Sequence, residues 1–126
     1  MKRATPKLKY IEIMRAEGPT RGTAVPVGKK FRVKSAKAAD TILRKISYSM
    51  PKTQLGYDKT DVKIVYGKRN SYSGRWDVTA RGEDTSIVGH LREMRDYGVK
   101  SGDKGYKSLG RAAGRVIKIL SRGRKR

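Results

Sequence analysis

Between Asp61 and Thr79 the chain alternates apolar and polar residues twice, across a short glycine-containing break, a pattern that demands an antiparallel hairpin. Val62, Ile64 and Tyr66 alternate with Asp61, Lys63 and Val65. After Gly67-Lys68-Arg69, the residues Tyr72, Gly74, Trp76 and Val78 alternate with Ser73, Arg75, Asp77 and Thr79. Side chains repeat every second residue, so both apolar sets share a face only if the register shifts by even steps. A three-residue turn at 67–69 sets Asp61 opposite Arg75 and Lys59 opposite Asp77. The neighbouring even register opposes Asp61 to Asp77, and like charges facing across strands are destabilising. The first register is therefore expected.

The remaining elements arrange themselves around this hairpin. Leu8 to Met14 is a strand, with Tyr10, Ile11 and Ile13 supplying β propensity. Gly18 to Gly22 is a loop. Val25 to Val33 is a second strand, and Pro26 points to an edge position, because proline cannot donate to a ladder. Ser35 caps a helix that runs to about Met50, with Ala39, Ile42, Leu43, Ile46 and Met50 on one face. Pro51 ends it. Asp84 or Thr85 caps the next helix, which runs to about Tyr97 with Ile87, Val88, Leu91 and Met94 buried and Gly98 as its C′ residue. A glycine-rich linker follows at 98–105. The last helix spans about Lys107 to Ser121. The order ββαββαα predicts a single α+β domain: an antiparallel sheet of two β-hairpins with about three helices packed on one face. A hydrophobic content of 36% leaves enough for a modest core because the apolar residues are periodic.

Charge is distributed unevenly along the chain. Residues 1–37 hold 11 Lys/Arg and 2 acids; residues 104–126 hold 9 Lys/Arg and no acid; the middle holds 12 against 9. A near-neutral centre flanked by cationic ends is suited to holding a polyanion, of which nucleic acid is the first candidate. The basic arm is 1–7, and the basic helix and tail are 104–126. No apolar stretch approaches the ~20 residues of a membrane span, and Met1-Lys2-Arg3 is not followed by the apolar run of a signal peptide. Trp76 and Phe31 both fall in strand patterns, leaving no aromatic anchor for a membrane surface. Cysteine is absent, which excludes disulfides and thiolate metal sites and suits the cytoplasm.

Lys107, Arg111, Arg115, Lys118 and Arg122 fall on one side of the last helix, opposite Leu109, Ala112, Ala113, Val116, Ile117 and Leu120. Five cations with no acid to pair at i,i+4 repel one another in isolation. Phosphate contact by this face, and by the tail Arg124, Lys125 and Arg126, is the favoured reading; a solubilising surface is the alternative. A second candidate is Lys30, Arg32 and Lys34 with Lys29 and Lys37 beside them, against the alternative of a charged edge that discourages aggregation. The turn Lys68-Arg69 is a third. Tyr72 and Trp76 could stack on bases, yet their spacing beside Val78 suits the core better.

The chain offers little to an enzyme. His90 is the only histidine, so a zinc site lacks ligands. Asp58, Asp61, Asp77, Glu83 and Asp84 could hold magnesium in a nuclease, but the hairpin register pairs Asp61 and Asp77 with cations. Walker, dinucleotide-binding and nucleophile-elbow motifs are missing, and no cofactor is expected.

The run Gly56-Tyr57-Asp58-Lys59-Thr60-Asp61, then Tyr72-Ser73-Gly74-Arg75-Trp76-Asp77-Val78, then Gly89-His90-Leu91-Arg92 and Tyr97 resembles a small domain of the large multidomain polyvalent proteins of plasmids, conjugative elements and phages. The resemblance covers residues 56–97 and implies a mobile-element context, with no catalytic residues to carry over. The expectation is a non-enzymatic protein that binds nucleic acid through phosphates with little sequence preference, double-stranded DNA before RNA. Competing readings are an inhibitor or assembly factor docking on an acidic protein, and an RNA- or ribosome-associated protein.

Overall fold

In the computed structural model, which describes residues 6–16, 25–49, 59–77 and 86–122, the chain runs β1 (Leu8–Arg15), β2 (Lys30–Val33), α1 (Ala36–Ser49), β3 (Lys59–Tyr66), β4 (Asn70–Asp77), α2 (Ile87–Lys100) and α3 (Lys104–Arg122). The strands form one antiparallel sheet in the order β2-β1-β3-β4. Two sequence-adjacent hairpins are thus joined by the β1–β3 ladder, and the α+β order ββαββαα is the one expected.

The β3–β4 hairpin adopts the expected register, with Asp61 opposite Arg75 and Lys59 opposite Asp77 around a turn at 67–69. Gly67 takes φ +63° there, which a glycine accepts without steric cost. Arg75 Nε donates to Asp61 Oδ1 at 3.0 Å. Both side chains are about half exposed, so the pair is worth only ~0–1 kcal/mol. The apolar face is the stronger determinant of register: Val62, Ile64, Tyr66, Tyr72 and Trp76 are all buried. Gly74 leaves room for the indole, since a Cβ there would stand 2.8 Å from the Trp76 ring.

Burial alternates along β1 as well, with Ile11, Ile13 and Arg15 inward. A register irregularity between Leu8 and Tyr10 absorbs Lys9, so Leu8 joins the core face opposite Tyr66 while Tyr10 faces outward opposite Val65. β2 is shorter than the sequence suggests. Gly28 turns at φ +89° and donates its N–H to the Arg15 carbonyl, so only Lys30–Val33 joins the ladder. Val25 is nonetheless buried, and the buried Arg15 guanidinium hydrogen-bonds its carbonyl.

The helices cover one face of the sheet. Ser35 caps α1 as expected, its Oγ accepting from Ala38 N at 3.1 Å, and Ala39, Leu43 and Ile46 are buried. For α2 the expectation needs correction. Its cap is Ser86, whose Oγ accepts from Gly89 N at 2.9 Å; Asp84 and Thr85 lie outside the described residues. Nor does Gly98 end the helix, which continues to Lys100. Gly98 is instead a contact point, because a Cβ there would stand 2.5 Å from the Tyr106 carbonyl oxygen and 2.8 Å from Gly110 Cα. The linker shrinks to Ser101–Asp103, since Asp103 Oδ1 accepts from Gly105 N at 2.7 Å and starts α3 at Lys104, a turn earlier than periodicity indicated.

All three helices and the sheet contribute to a single apolar cluster. Trp76 is its largest fully buried side chain, with the His90 ring stacked on it at 4.0 Å between centroids and 27° between planes.

Candidate nucleic-acid interface

The cationic side of α3 is exposed at Lys107, Arg111, Arg115 and Lys118, while Ala113, Val116, Ile117 and Leu120 on the opposite side are buried. The helix therefore turns its charge directly away from the core. Arg122 closes the same helix; Arg124, Lys125 and Arg126 lie outside the described residues.

Sequence reading missed what stands beside this face. α2 and α3 cross closely at Gly98 and Gly110, and the crossing opens into a groove of about 660 Å³. Gly98, Gly110 and Gly114 are among its lining residues. Arg95 of α2 stands with Lys107, Arg111, Arg115 and Lys118 of α3 around it, and among the described residues no acid lines it. At Gly98 and Gly110 the missing Cβ lets the two helix backbones touch, which brings Arg95 of α2 close to the cationic side of α3. Arg95 is paired with its neighbour Asp96 at 3.2 Å, an exposed contact that salt and solvent screen. Val99 at the rim is 74% exposed. The i,i+4 spacing of Gly110 and Gly114 on α3, with Gly98 on α2, is the sequence signal for this crossing; the local context of Gly98 suggests a helix end instead.

The second group is found where expected, but with altered electrostatics. Lys29, Lys30, Arg32, Lys34 and Lys37 are all exposed. Arg32 is engaged: its guanidinium pairs with Glu12 at 3.0 Å and lies 4.2 Å from the Tyr10 ring centroid. The hydrogen bond to Glu12, and then the Tyr10 charge, push its pKa up. Lys29 Nζ sits 5.9 Å from the Phe31 ring centroid. Across the outer face of the sheet the ladders align Arg32, Glu12, Lys63 and Ser73 in one row and Lys30, Met14, Asp61 and Arg75 in the next. The two acids in these rows are both matched by arginines. Among the described residues no acid pairs with Lys30, Lys34 or Lys63.

The third group, Lys68 and Arg69, is exposed at the β3–β4 turn. Lys9 Nζ donates to the Lys68 carbonyl at 3.2 Å and adds its charge there. The structure thus separates the candidate residues. α3 lies on the helical side, by β4, while β2 is the edge strand at the other end of the sheet.

Tyr72 and Trp76 are buried and cannot stack on bases; burial also pushes the Tyr72 hydroxyl up in pKa. His90 is partly buried, and burial lowers its pKa. The exposed aromatic pair is Tyr97 with Tyr106, edge to face at 5.0 Å where α2 hands over to α3. Of the carboxylates weighed for a nuclease, Asp61 is paired with Arg75, and Asp58, Glu83 and Asp84 lie outside the described residues. Among the described residues there is no group of three or more His, Asp or Glu able to hold a metal, and no helix is long and apolar enough to cross a membrane. Comparison with protein-family models, curated proteins and solved structures finds no match.

Proposed function

We propose that this chain is a non-enzymatic nucleic-acid-binding protein that grips the phosphate backbone, duplex DNA in the first place, with α3 as its principal contact. The observation that supports this most is the groove at the α2–α3 crossing, lined by five cationic side chains and, among the described residues, by no acid. Cations stacked along one helix without counter-charges repel one another, and a row of phosphates offsets that cost. Lysine and arginine meeting phosphates fix position and carry no base information, so the binding is indifferent to sequence. The resemblance of residues 56–97 to the polyvalent-protein domain adds a mobile-element setting to the proposal.

The test is fluorescence anisotropy of the purified protein with matched duplex DNA, single-stranded DNA and RNA across a salt series. Submicromolar binding with a steep log–log salt slope is expected, with the duplex tightest. Combined Arg111→Ala, Arg115→Ala and Lys118→Ala lowers the slope by up to about three and the affinity for every sequence by roughly a hundredfold near 0.15 M salt. Weak binding to all three nucleic acids would overturn the proposal and favour an acidic protein partner; an unchanged slope in the triple variant would remove α3 from the interface.

A further inference from the structure

We infer that one molecule holds two separate nucleic-acid segments at once, one along α3 and one across the β2 side of the sheet. This rests on the phosphate-binding reading above and extends it from holding a polyanion to bridging two.

The geometry begins with the pleat. Alternate residues of a strand face opposite ways, so Phe31 and Val33 pack on the core while Lys30 and Arg32 face outward. Lys63, opposite Glu12 on β3, shares that outward face. Lys29 and Lys34 are exposed immediately before and after β2. With Arg32 matched by Glu12, the lysines 30, 34 and 63 supply the surplus charge of this surface. Lysine is a hydrated point charge on a flexible stem, suited to phosphate and indifferent to base.

The two cationic surfaces look in opposite directions. The helices fill the inner face of the sheet, and α3 turns its cations away from it. The surfaces are also offset sideways, because β2 and β4 are the two edges and α3 lies beside β4. Three strand spacings amount to ~14 Å, and a helix layer adds ~10 Å in depth. A straight duplex touching one surface cannot reach the other. Wrapping a duplex around the molecule costs of order 1–6 kcal/mol in bending, whereas a second segment incurs no such cost. At physiological salt the Debye length is about 8 Å, so two polyanions held on opposite sides of the molecule repel each other little.

The experiment uses the full chain and two unlinked duplexes of different sequence, one biotinylated and held on beads, the other fluorescent. Anisotropy with each duplex alone runs in parallel, and circular dichroism confirms that every variant folds. The intact protein is expected to carry the fluorescent duplex onto the beads at sub-saturating DNA. Combined Lys30→Ala, Lys34→Ala and Lys63→Ala, or the α3 triple variant, is expected to bind one duplex and lose capture roughly tenfold or more. If the intact protein binds each duplex singly but captures none, bridging is overturned and the α3 reading stands. If it binds neither duplex, the phosphate-binding reading falls first. Capture that survives in the Lys30, Lys34 and Lys63 variant overturns the two-surface geometry and assigns bridging to association between protein molecules.

Discussion

Gly98→Ala is the most informative single substitution in this chain, because helix propensity and packing make opposite predictions for it. In an exposed helix interior the change gains about 1 kcal/mol. Here the new methyl would meet the Tyr106 carbonyl oxygen at 2.5 Å and Gly110 Cα and N at 2.8 and 3.1 Å. All three atoms are backbone, so no rotamer change relieves the clash and α2 and α3 must move apart. Overpacking of this kind costs about 1–3 kcal/mol, occasionally more. With two helix backbones displaced, the upper part of that range applies, and the net loss is about 1–2 kcal/mol. For a domain of this size that is a fall in Tm of about 3–10 °C. Gly110→Ala should lose somewhat less, its nearest contact being Gly98 Cα at 3.0 Å. Gly114→Ala is the control. Its methyl would meet only the Arg95 side chain, at 3.7 Å, so propensity prevails and Tm rises. Thermal melts followed by circular dichroism at one pH and salt decide the matter. A Gly98→Ala protein that melts at or above the parent, or a Gly114→Ala protein that loses as much as Gly98→Ala, refutes the close crossing of α2 and α3.

Three further outcomes are expected. Thr60 is fully buried and its Oγ1 has no hydrogen-bond partner among the described residues, so Thr60→Val should stabilise the protein by about 1–2 kcal/mol in urea denaturation, and a loss of that size would show that the hydroxyl is satisfied. At the start of α2, Asp40 Oδ1 accepts from Ile87 N at 2.7 Å and Ser86 Oγ from Gly89 N; Asp40→Ala should cost about 1–3 kcal/mol and Ser86→Ala about 1, and equal melting of parent and both variants would remove the caps from the account. Burial holds the folded-state pKa of His90 below its ordinary value of 6.5, so the unfolded chain takes up a proton first as pH falls. Stability is therefore unaffected by His90 above that value and declines as pH drops from about 6.5 toward the folded-state pKa. His90→Phe should flatten that part of the stability–pH curve, and an unchanged curve would place the imidazole in solvent.

Much of the fold was legible because side-chain period and backbone geometry agree. The Asp61–Arg75 pairing followed from turn length and the even-step rule, and Ser35 from its position before an apolar stripe. The failures share a cause: a local residue preference was outweighed by a distant contact. Gly98 has the composition of a helix end, yet α3 uses its missing side chain for close approach. Pro26 and Gly28 stand inside an apolar run, but Gly28 bonds back to Arg15 and cuts β2 to four residues. Arg15 looks like a surface charge and is buried against the Val25 carbonyl, which no periodicity reveals. The candidate interface was legible residue by residue, since the acid-free helical face is periodic. That the cationic groups stand on opposite sides of the molecule was not, because strand order is set by the β1–β3 pairing between segments far apart in the chain.

That pairing also governs how the chain is made. β1 is a central strand whose second neighbour, β3, ends at Tyr66, some fifty residues after Arg15. At 5–20 residues per second a ribosome needs about 3–10 s to cover that interval, while a hairpin closes in microseconds. During those seconds Ile11 and Ile13 can pair with β2 on one side only, and the other edge of β1 stays open. The nascent chain is most exposed to aggregation in this window, and slowing translation between codons 16 and 66 lengthens it directly.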